Sequence, residues 1–462
     1  MKHGIFCKNG LFIKKVNQFD CVQKVLDATL ACLCEQALSL GLSYLWVTRD
    51  TGVIPDEAFV NAAREQWSVS ATYRYPEGSK LPAGKRNEAI SITASQKDAG
   101  VDRQHVTIVF PYNTKWNFGA TNNPTYLLGT IAYLEKALKV RIAASPAKIG
   151  WKLVDLLNEG QLDAKIPRAA DLAACHFDQH AAQDIIWQRS LSTHELQKHY
   201  LHKYRKHTAY LYECLQQEFG LGEPIHMSGT EYNQSYPGVW RISVQEKMLR
   251  NLPPVLWEGA EWVAAPIVKF LYDLGEEVTV HEGWVYPIIK GKAQYQPWLQ
   301  SWAQFIWQKW QSFKDESQWG HNACREYAEW SMKDIVLATV GLGVLNQSQS
   351  SVAYKHPEVK VQVVGAARAS LLGNILDIQR EQLLKPVLVY KDTLYYLSNN
   401  PDAHQALSGV FTKEEAPGDF NHEWTLPMTK PVGEILMMDT TPYEKQSMLQ
   451  LFMHKRQREK LR

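Results

Sequence analysis

The chain has 462 residues, 45% hydrophobic and 21% charged, with 27 Gly and 21 Pro, a globular composition with room for roughly two to four domains. Fifty Lys and Arg against 48 Asp and Glu leave a net charge of +2, which excludes a polycation, so any nucleic-acid binding needs a local basic surface. Seven scattered Cys without a C-x-x-C pair argue against a zinc ribbon or disulfide framework, and the absence of a visible secretory leader or a run of about 20 apolar residues points to a soluble, cytoplasmic protein.

Residues 1–155 mix strand and helix periods and predict an α/β domain. Asp20 to Ser39 is helix-like, with Val22, Val25, Leu26, Leu30 and Leu33 on one face. Leu42 to Val47 and "HVTIVF" (105–110) read as strands, while Thr125 to Ala137 and Gly150 to Leu157 read as helices. Residues 160–195 read as a connector broken by Pro167 and a His/Asp/Gln-rich run. Within it, His176 and His180 with Asp178 and Asp184 have the spacing of a metal cluster, although a polar linker accounts for the same residues.

Ser192-Thr193-x-Glu195 marks a helix start that runs into Leu196–Gln216. "VWRISV" and "EVTVHEGWVY" (277–286) read as strands on either side of a Pro266–Asp273 helix stopped by Gly275. Residues 297–316 and 322–340 form two helical patterns around Gly320, residues 360–384 contain a helix, and 386–398 read as a hairpin. The final "MHKRQREKLR" is a basic tail, either a solvated helix end or a phosphate-contacting arm.

Four segments stand in a meaningful order: "YRKHTAYLYE" (204–213), "EWVAAPIVKFLYDLGEEVTVHEGWVY" (261–286), "REYAEWSMKDIVLATVGLG" (325–343) with "VQVVGAARASLLGNIL" (361–376), and "PVLVYKDTLYYLSNNPD" (386–402). Together, over roughly residues 196–420, they resemble the palm and fingers of a family B DNA polymerase of the compact type found in phages, plasmids and mobile elements, with degenerate catalytic motifs. The resemblance implies an α+β and α/β architecture: a polymerase-like palm with an antiparallel sheet and a helical fingers hairpin, preceded by an α/β exonuclease-like domain. The expected blocks are 1–160 (N-terminal domain), 161–195 (connector), 196–290 (first palm segment), 291–345 (fingers-like hairpin), 346–420 (second palm segment) and 421–462 (basic tail or thumb remnant). Asp50-Thr51-Gly52 is the nearest approach to a nuclease acidic pair in the first block.

The same resemblance assigns roles. The first palm motif has an acidic residue where this chain has Arg205, followed by the matching Thr208, Ala209 and Tyr210. In the palm hairpin, one register puts Asp392 on the metal-bridging carboxylate; the other puts Leu394 there. Lys333, eight residues before Gly341, matches the fingers lysine, and Arg325 lies two helical turns earlier on nearly the same face. The implied nucleotide-binding residues are thus Tyr210, Arg325 and Lys333, and the catalytic and metal residue is Asp392. A solvated helix face with Glu329 and Asp334 explains the two cations equally well, and a buried palm residue explains Tyr210.

Polymerase chemistry uses two Mg²⁺ ions held by carboxylates. A guanidinium at position 205 cannot be deprotonated. At about 4 Å and an effective dielectric of about 20 it opposes a cation by about 4 kcal/mol per unit charge. Mg²⁺ is therefore expected to be weak or absent. The expected function is a polymerase-derived, catalytically impaired protein that binds DNA, as single strand or primer–template, with dNTP as a further ligand. The alternatives are an active DNA polymerase with a rearranged metal site, to which Glu213 is a candidate contributor, a non-enzymatic scaffold, and a hydrolase built on the His176 run.

Overall fold

The structure is a computed structural model that describes residues 2–15, 18–23, 28–73, 87–97, 104–162, 164–167, 172, 175–177, 184–245, 253–254, 261–313, 322–341, 356–407 and 416–460. In chain order its elements are β1 (Lys2–Cys7), β2 (Gly10–Lys15), β3 (Gln18–Gln23), α1 (Leu30–Ser39), β4 (Leu42–Val47), α2 (Glu57–Ala62), β5 (Trp67–Tyr73), β6 (Ala89–Gln96), β7 (His105–Val109), α3 (Pro124–Leu138) and α4 (Pro146–Leu157). There follow β8 (Ile186–Gln188), α5 (Thr193–Leu196), β9 (Tyr200–Lys206), α6 (Ala209–Gln216), β10 (Phe219–Gly220), β11 (Ile225–Ser228), β12 (Gly238–Gln245), β13 (Trp262–Ala264), α7 (Ala265–Leu274) and β14 (Glu277–Val285). The last group is β15 (Ile288–Ile289), β16 (Lys292–Ala293), β17 (Tyr295–Gln296), α8 (Gln300–Ser312), α9 (Asn322–Thr339), α10 (Pro357–Gln382), β18 (Leu388–Tyr390), β19 (Thr393–Ser398), α11 (Ala403–Ala406), β20 (Phe420–Pro427), α12 (Lys430–Met437) and α13 (Pro442–Lys460).

Two compact units result. Unit 1 comprises Met1–Gln161, Arg168–Ala170 and Gln304–His356; unit 2 comprises Leu162–Pro167, Asp171–Ala303 and Pro357–Arg462. This division differs from the expected blocks: α9, assigned to the fingers hairpin with residues 291–345, joins the N-terminal unit.

In unit 1 the seven strands run in the order β3-β2-β1-β4-β7-β6-β5. β4 is parallel to both β1 and β7, and the other pairs are antiparallel. Leu33, Leu45, Val60, Trp67, Ile92 and Ile108 belong to its core. α9 packs on α3 and α4. Gly150 makes the α4–α9 approach, since a Cβ there would lie 1.7 Å from Thr339 Oγ1. The Thr339 hydroxyl is buried and donates to Ile335 O at 2.7 Å, so it cannot simply swing aside. Gly150→Ala should therefore cost about 1–3 kcal/mol by overpacking. Urea denaturation checks this, and an unchanged midpoint would contradict the close approach.

In unit 2 an antiparallel sheet runs β20-β9-β19-β18-β8, and a second runs β11-β14-β12-β13. β9 is covered on both faces: Tyr204 packs with Trp240, Leu371 and Phe420, while Leu201 packs with Tyr395, Trp424 and Leu436. Two-sided burial erases the period-2 signal. This corrects the helix expected over Leu196–Gln216. The capping box of Ser192 and Glu195 is present, but it serves a helix of only Thr193–Leu196. Asp20–Ser39 is corrected at its beginning, which supplies β3, and the helix starts at Leu30 with Thr29 as its N-cap.

The helix expected within residues 360–384 is present as α10. By length and composition it is apolar enough to cross a membrane, with a mean hydropathy of 1.2, though 67% of its apolar window is buried inside the protein. It packs on α6 and α7 as a core helix.

Candidate functional site

The site is built on the β18–β19 hairpin and its neighbour β9. Tyr390 pairs with Thr393, so Lys391 and Asp392 form a two-residue turn, with Lys391 at φ 58. Thr393 pairs with Arg205 on β9, and Lys206 N donates to Asp392 O at 2.8 Å. Position 205 is thereby fixed beside position 392 by the strand ladder itself. Of the residues offered by the two registers, Leu394 is buried in the core, while Asp392 sits at the turn.

Arg205 Nε donates to Asp392 Oδ2 at 3.0 Å, and its Nη1 lies 3.6 Å from Glu423 Oε1 on β20. Burial pulls the guanidinium pKa down, but Asp392 and then Glu423 more than offset this, and the group is held above its ordinary value. Glu423 also takes Lys203 Nζ at 2.6 Å. The Thr393 hydroxyl donates to Asp392 Oδ1 at 3.2 Å. Asp392 is thus faced by a cation already bonded to it.

Tyr210, at the start of α6, donates its hydroxyl to Asp184 Oδ1 at 2.7 Å, and Lys391 Nζ lies 3.5 Å from Asp184 Oδ2. Burial, then the Asp184 carboxylate, pushes the phenol well above its ordinary range. Asp184, Tyr210, Lys391 and Asp392 share a pocket with Lys206 from β9 and Arg368 from α10. The pocket holds about 20 Å³, room for about one water. Lys360, in the first turn of α10, has its pKa lowered by burial, with Asp184 opposing.

Arg325 and Lys333 are not among the residues of this pocket. They lie on α9 in unit 1, where Arg325 faces Glu329 at 4.0 Å. The adjacent Asp334 accepts from Asn117 N and Nδ2 at 2.7 and 2.6 Å. Burial pushes that carboxyl up to about 7. The cations that do reach the pocket, Lys206, Arg368 and Lys391, were missed by the sequence reading. A signal existed: Arg368, Ser370 and Asn374 are isolated polar residues in the apolar run of α10. Lys206 Nζ donates to both Ser370 Oγ and Asn374 Oδ1.

Of the His176 run, for which a metal cluster is the less simple reading, His176 stacks on Trp262 with ring centroids 4.3 Å apart and Asp184 bonds Tyr210, while Asp178 and His180 lie outside the described residues. Among the described residues no three His, Cys, Asp or Glu side chains could hold a metal ion together. For Mg²⁺ at Asp392 the donor set does not fit, because Arg205 already bonds one carboxylate oxygen and cannot give up its charge.

No family model and no curated protein matches the sequence. Among solved structures, phi29 DNA polymerase in a ternary complex with primer–template DNA and incoming nucleotides aligns over 92% of this chain and 84% of that chain, at TM-score 0.55 and 9% identity. The same polymerase complexed with single-stranded DNA aligns over the same shares at TM-score 0.54 and 11% identity. The fold is similar to that of phi29 DNA polymerase. Within this fold Arg205 on β9 meets Asp392 at the β18–β19 turn, and α10 lines the pocket beside Asp392.

Proposed function

We propose that this chain is a DNA polymerase-derived protein that binds nucleic acid, has lost nucleotidyl transfer, and acts in replication or maintenance of DNA carried by a plasmid or other mobile element. The observation that carries the reading is the 3.0 Å ion pair between Arg205 and Asp392. A polymerase centre gathers negative charge to hold cations against a triphosphate. Here the protein supplies the cation itself.

The five-stranded sheet of unit 2 is read as a palm. α10, with Lys360 and Arg368, takes the role assigned from sequence to Arg325 and Lys333 as the fingers helix facing phosphate. Unit 1 is read as exonuclease-derived and inactive. Its β1 carries no Asp or Glu; His3 on β1 bonds Glu135 on α3 at 2.9 Å and accepts from Trp46 Nε1 at 3.0 Å, so both ring nitrogens are engaged within the fold. Asp50 accepts from the neighbouring Thr48 hydroxyl.

DNA binding in this reading rests on backbone phosphates and is salt-dependent. Fluorescence anisotropy with labelled single-stranded and primer–template DNA should show affinity falling at least about tenfold between about 50 and about 200 mM salt. Primer extension with Mg²⁺ or Mn²⁺ should yield no product. Absence of binding at low salt would remove the reading. Extension that Asp392→Ala abolishes would instead support the active polymerase, whose site would draw on Asp184, the second carboxylate of the same pocket.

A further inference from the structure

A second and larger cleft in unit 2, of about 780 Å³, opens among α6, α7, α10 and residues 234–237. Its floor holds two polar side chains that are almost wholly buried, Glu213 at 2% exposure and Gln362 at 7%. Gln362 Nε2 donates to Gln217 Oε1 at 3.4 Å, and Gln217 Nε2 donates to Glu213 Oε2 at 3.3 Å. The carboxylate at one end fixes the orientation of both amides, because Glu213 accepts from Gln217 and Gln217 must then accept from Gln362. Two acceptors are left: Gln362 Oε1 and Glu213 Oε1 have no hydrogen-bond partner among the described residues. Buried acceptors of this kind call for a donor.

The charges around the cleft select the donor. Glu218 and Asp273 line it with Glu213, against Lys269, which pairs with Asp273 at 2.8 Å. Lys206 acts on Glu213 from β9, where its own Nζ is held by Ser370 and Asn374. The walls include the rings of Tyr236 and Phe270. An anion meets three acids here. A flat, cationic group with several N–H donors meets two free acceptors and aromatic walls, and guanidinium is that group.

We propose that this cleft is a binding site for a guanidinium group, with Glu213 Oε1 and Gln362 Oε1 as its acceptors. The group reaches it either on an arginine of a polypeptide or on a free guanidino amine. The inference is independent of DNA binding.

The test is isothermal titration of the full chain at about pH 8.5, where Glu213, raised to about 7 by burial, is ionised, with acetyl-Gly-Arg-Gly-amide, with agmatine, and with the citrulline tripeptide, which keeps the shape and loses the charge. Saturable binding of either guanidinium probe, with citrulline at least about tenfold weaker, supports the site; each tenfold is about 1.4 kcal/mol. The tighter of the two probes identifies the source as peptide or free amine. Gln362→Leu should weaken binding at least about tenfold by removing one acceptor. Should that variant fail to fold, the exposed Asp273→Asn should still weaken it by about two- to fivefold through lost charge attraction. No saturation by either guanidinium probe at about 10 mM, equal binding of citrulline, or no effect of the folded variants would overturn the proposal, since about 10 mM is already weaker than −4.1 kcal/mol.

Discussion

Arg205→Asp is expected to yield a protein less stable than the parent in chelator and selectively restored by millimolar Mg²⁺ or Mn²⁺. Arg205 is the counter-ion of Asp392 at 3.0 Å and lies 3.6 Å from Glu423. Removing it while adding a carboxylate sets three acids against one another at a half-buried turn. Breaking such a pair and leaving its partner uncompensated costs about 3–5 kcal/mol where burial is full, and less here because the Arg205 side chain is 40% exposed. A cation that binds only the folded variant returns stability by RT ln(1 + [L]/Kd), about 2.7 kcal/mol at about a hundredfold excess over Kd.

The control is Arg205→Ala, which loses the same ion pair and gains no ligand. It should be destabilised in chelator and unmoved by metal. Thermal melts of the two variants with and without Mn²⁺ separate an inherited metal position from a structural salt bridge. Primer extension by Arg205→Asp is a second readout. If neither variant responds to metal, the correspondence of Arg205 with a lost acidic ligand fails, whatever the fold.

That Arg205 and Asp392 stand side by side was legible in the sequence because each lies in a short motif whose spacing can be read alone. The turn at Lys391-Asp392 and the Thr-Ala-Tyr run carry their spacing with them, and the fold sets Arg205 against Thr393. What was not legible is long-range. α9 has a Lys–Gly spacing that imitates a fingers helix, yet its Ser331, Asp334 and Thr339 are buried on its packed side, and it belongs to unit 1. In α10, Arg368, Ser370 and Asn374 stand within an apolar run, so they read as interruptions and not as the residues that reach Lys206 and the pocket. β9 was lost to a helix assignment because both of its faces are covered, so only the ladder to β19 and β20 reveals it.

Glu213→Gln is expected to change the pH dependence of stability more than its value in acid. Burial pushes the Glu213 carboxyl up to about 7, with Lys206 and the Gln217 amide opposing. Lys206 is itself lowered by burial, with Glu213 and Asp419 opposing, so both members of this buried pair are pushed toward their neutral forms. The unfolded carboxyl titrates near 4.5. Below that value both states hold the proton and the group is silent. Between 4.5 and about 7 the unfolded chain releases its proton while the folded chain keeps it, so stability falls as pH rises, and above about 7 the full penalty is present.

At about 1.4 kcal/mol per pH unit the penalty is of order 3 kcal/mol. Glutamine has no such proton. The stability of Glu213→Gln relative to the parent should therefore rise by up to about 3 kcal/mol from about pH 5 to about pH 8. Asp334, raised to about 7 in unit 1, weakens the parent in the same direction. His202 and His422, lowered chiefly by burial, act in the opposite direction below their ordinary range. All three are common to both proteins and cancel in the difference. Urea midpoints at the two pH values measure it directly, and parallel pH profiles would show that Glu213 is ionised in the folded protein throughout, with Lys206 holding its charge.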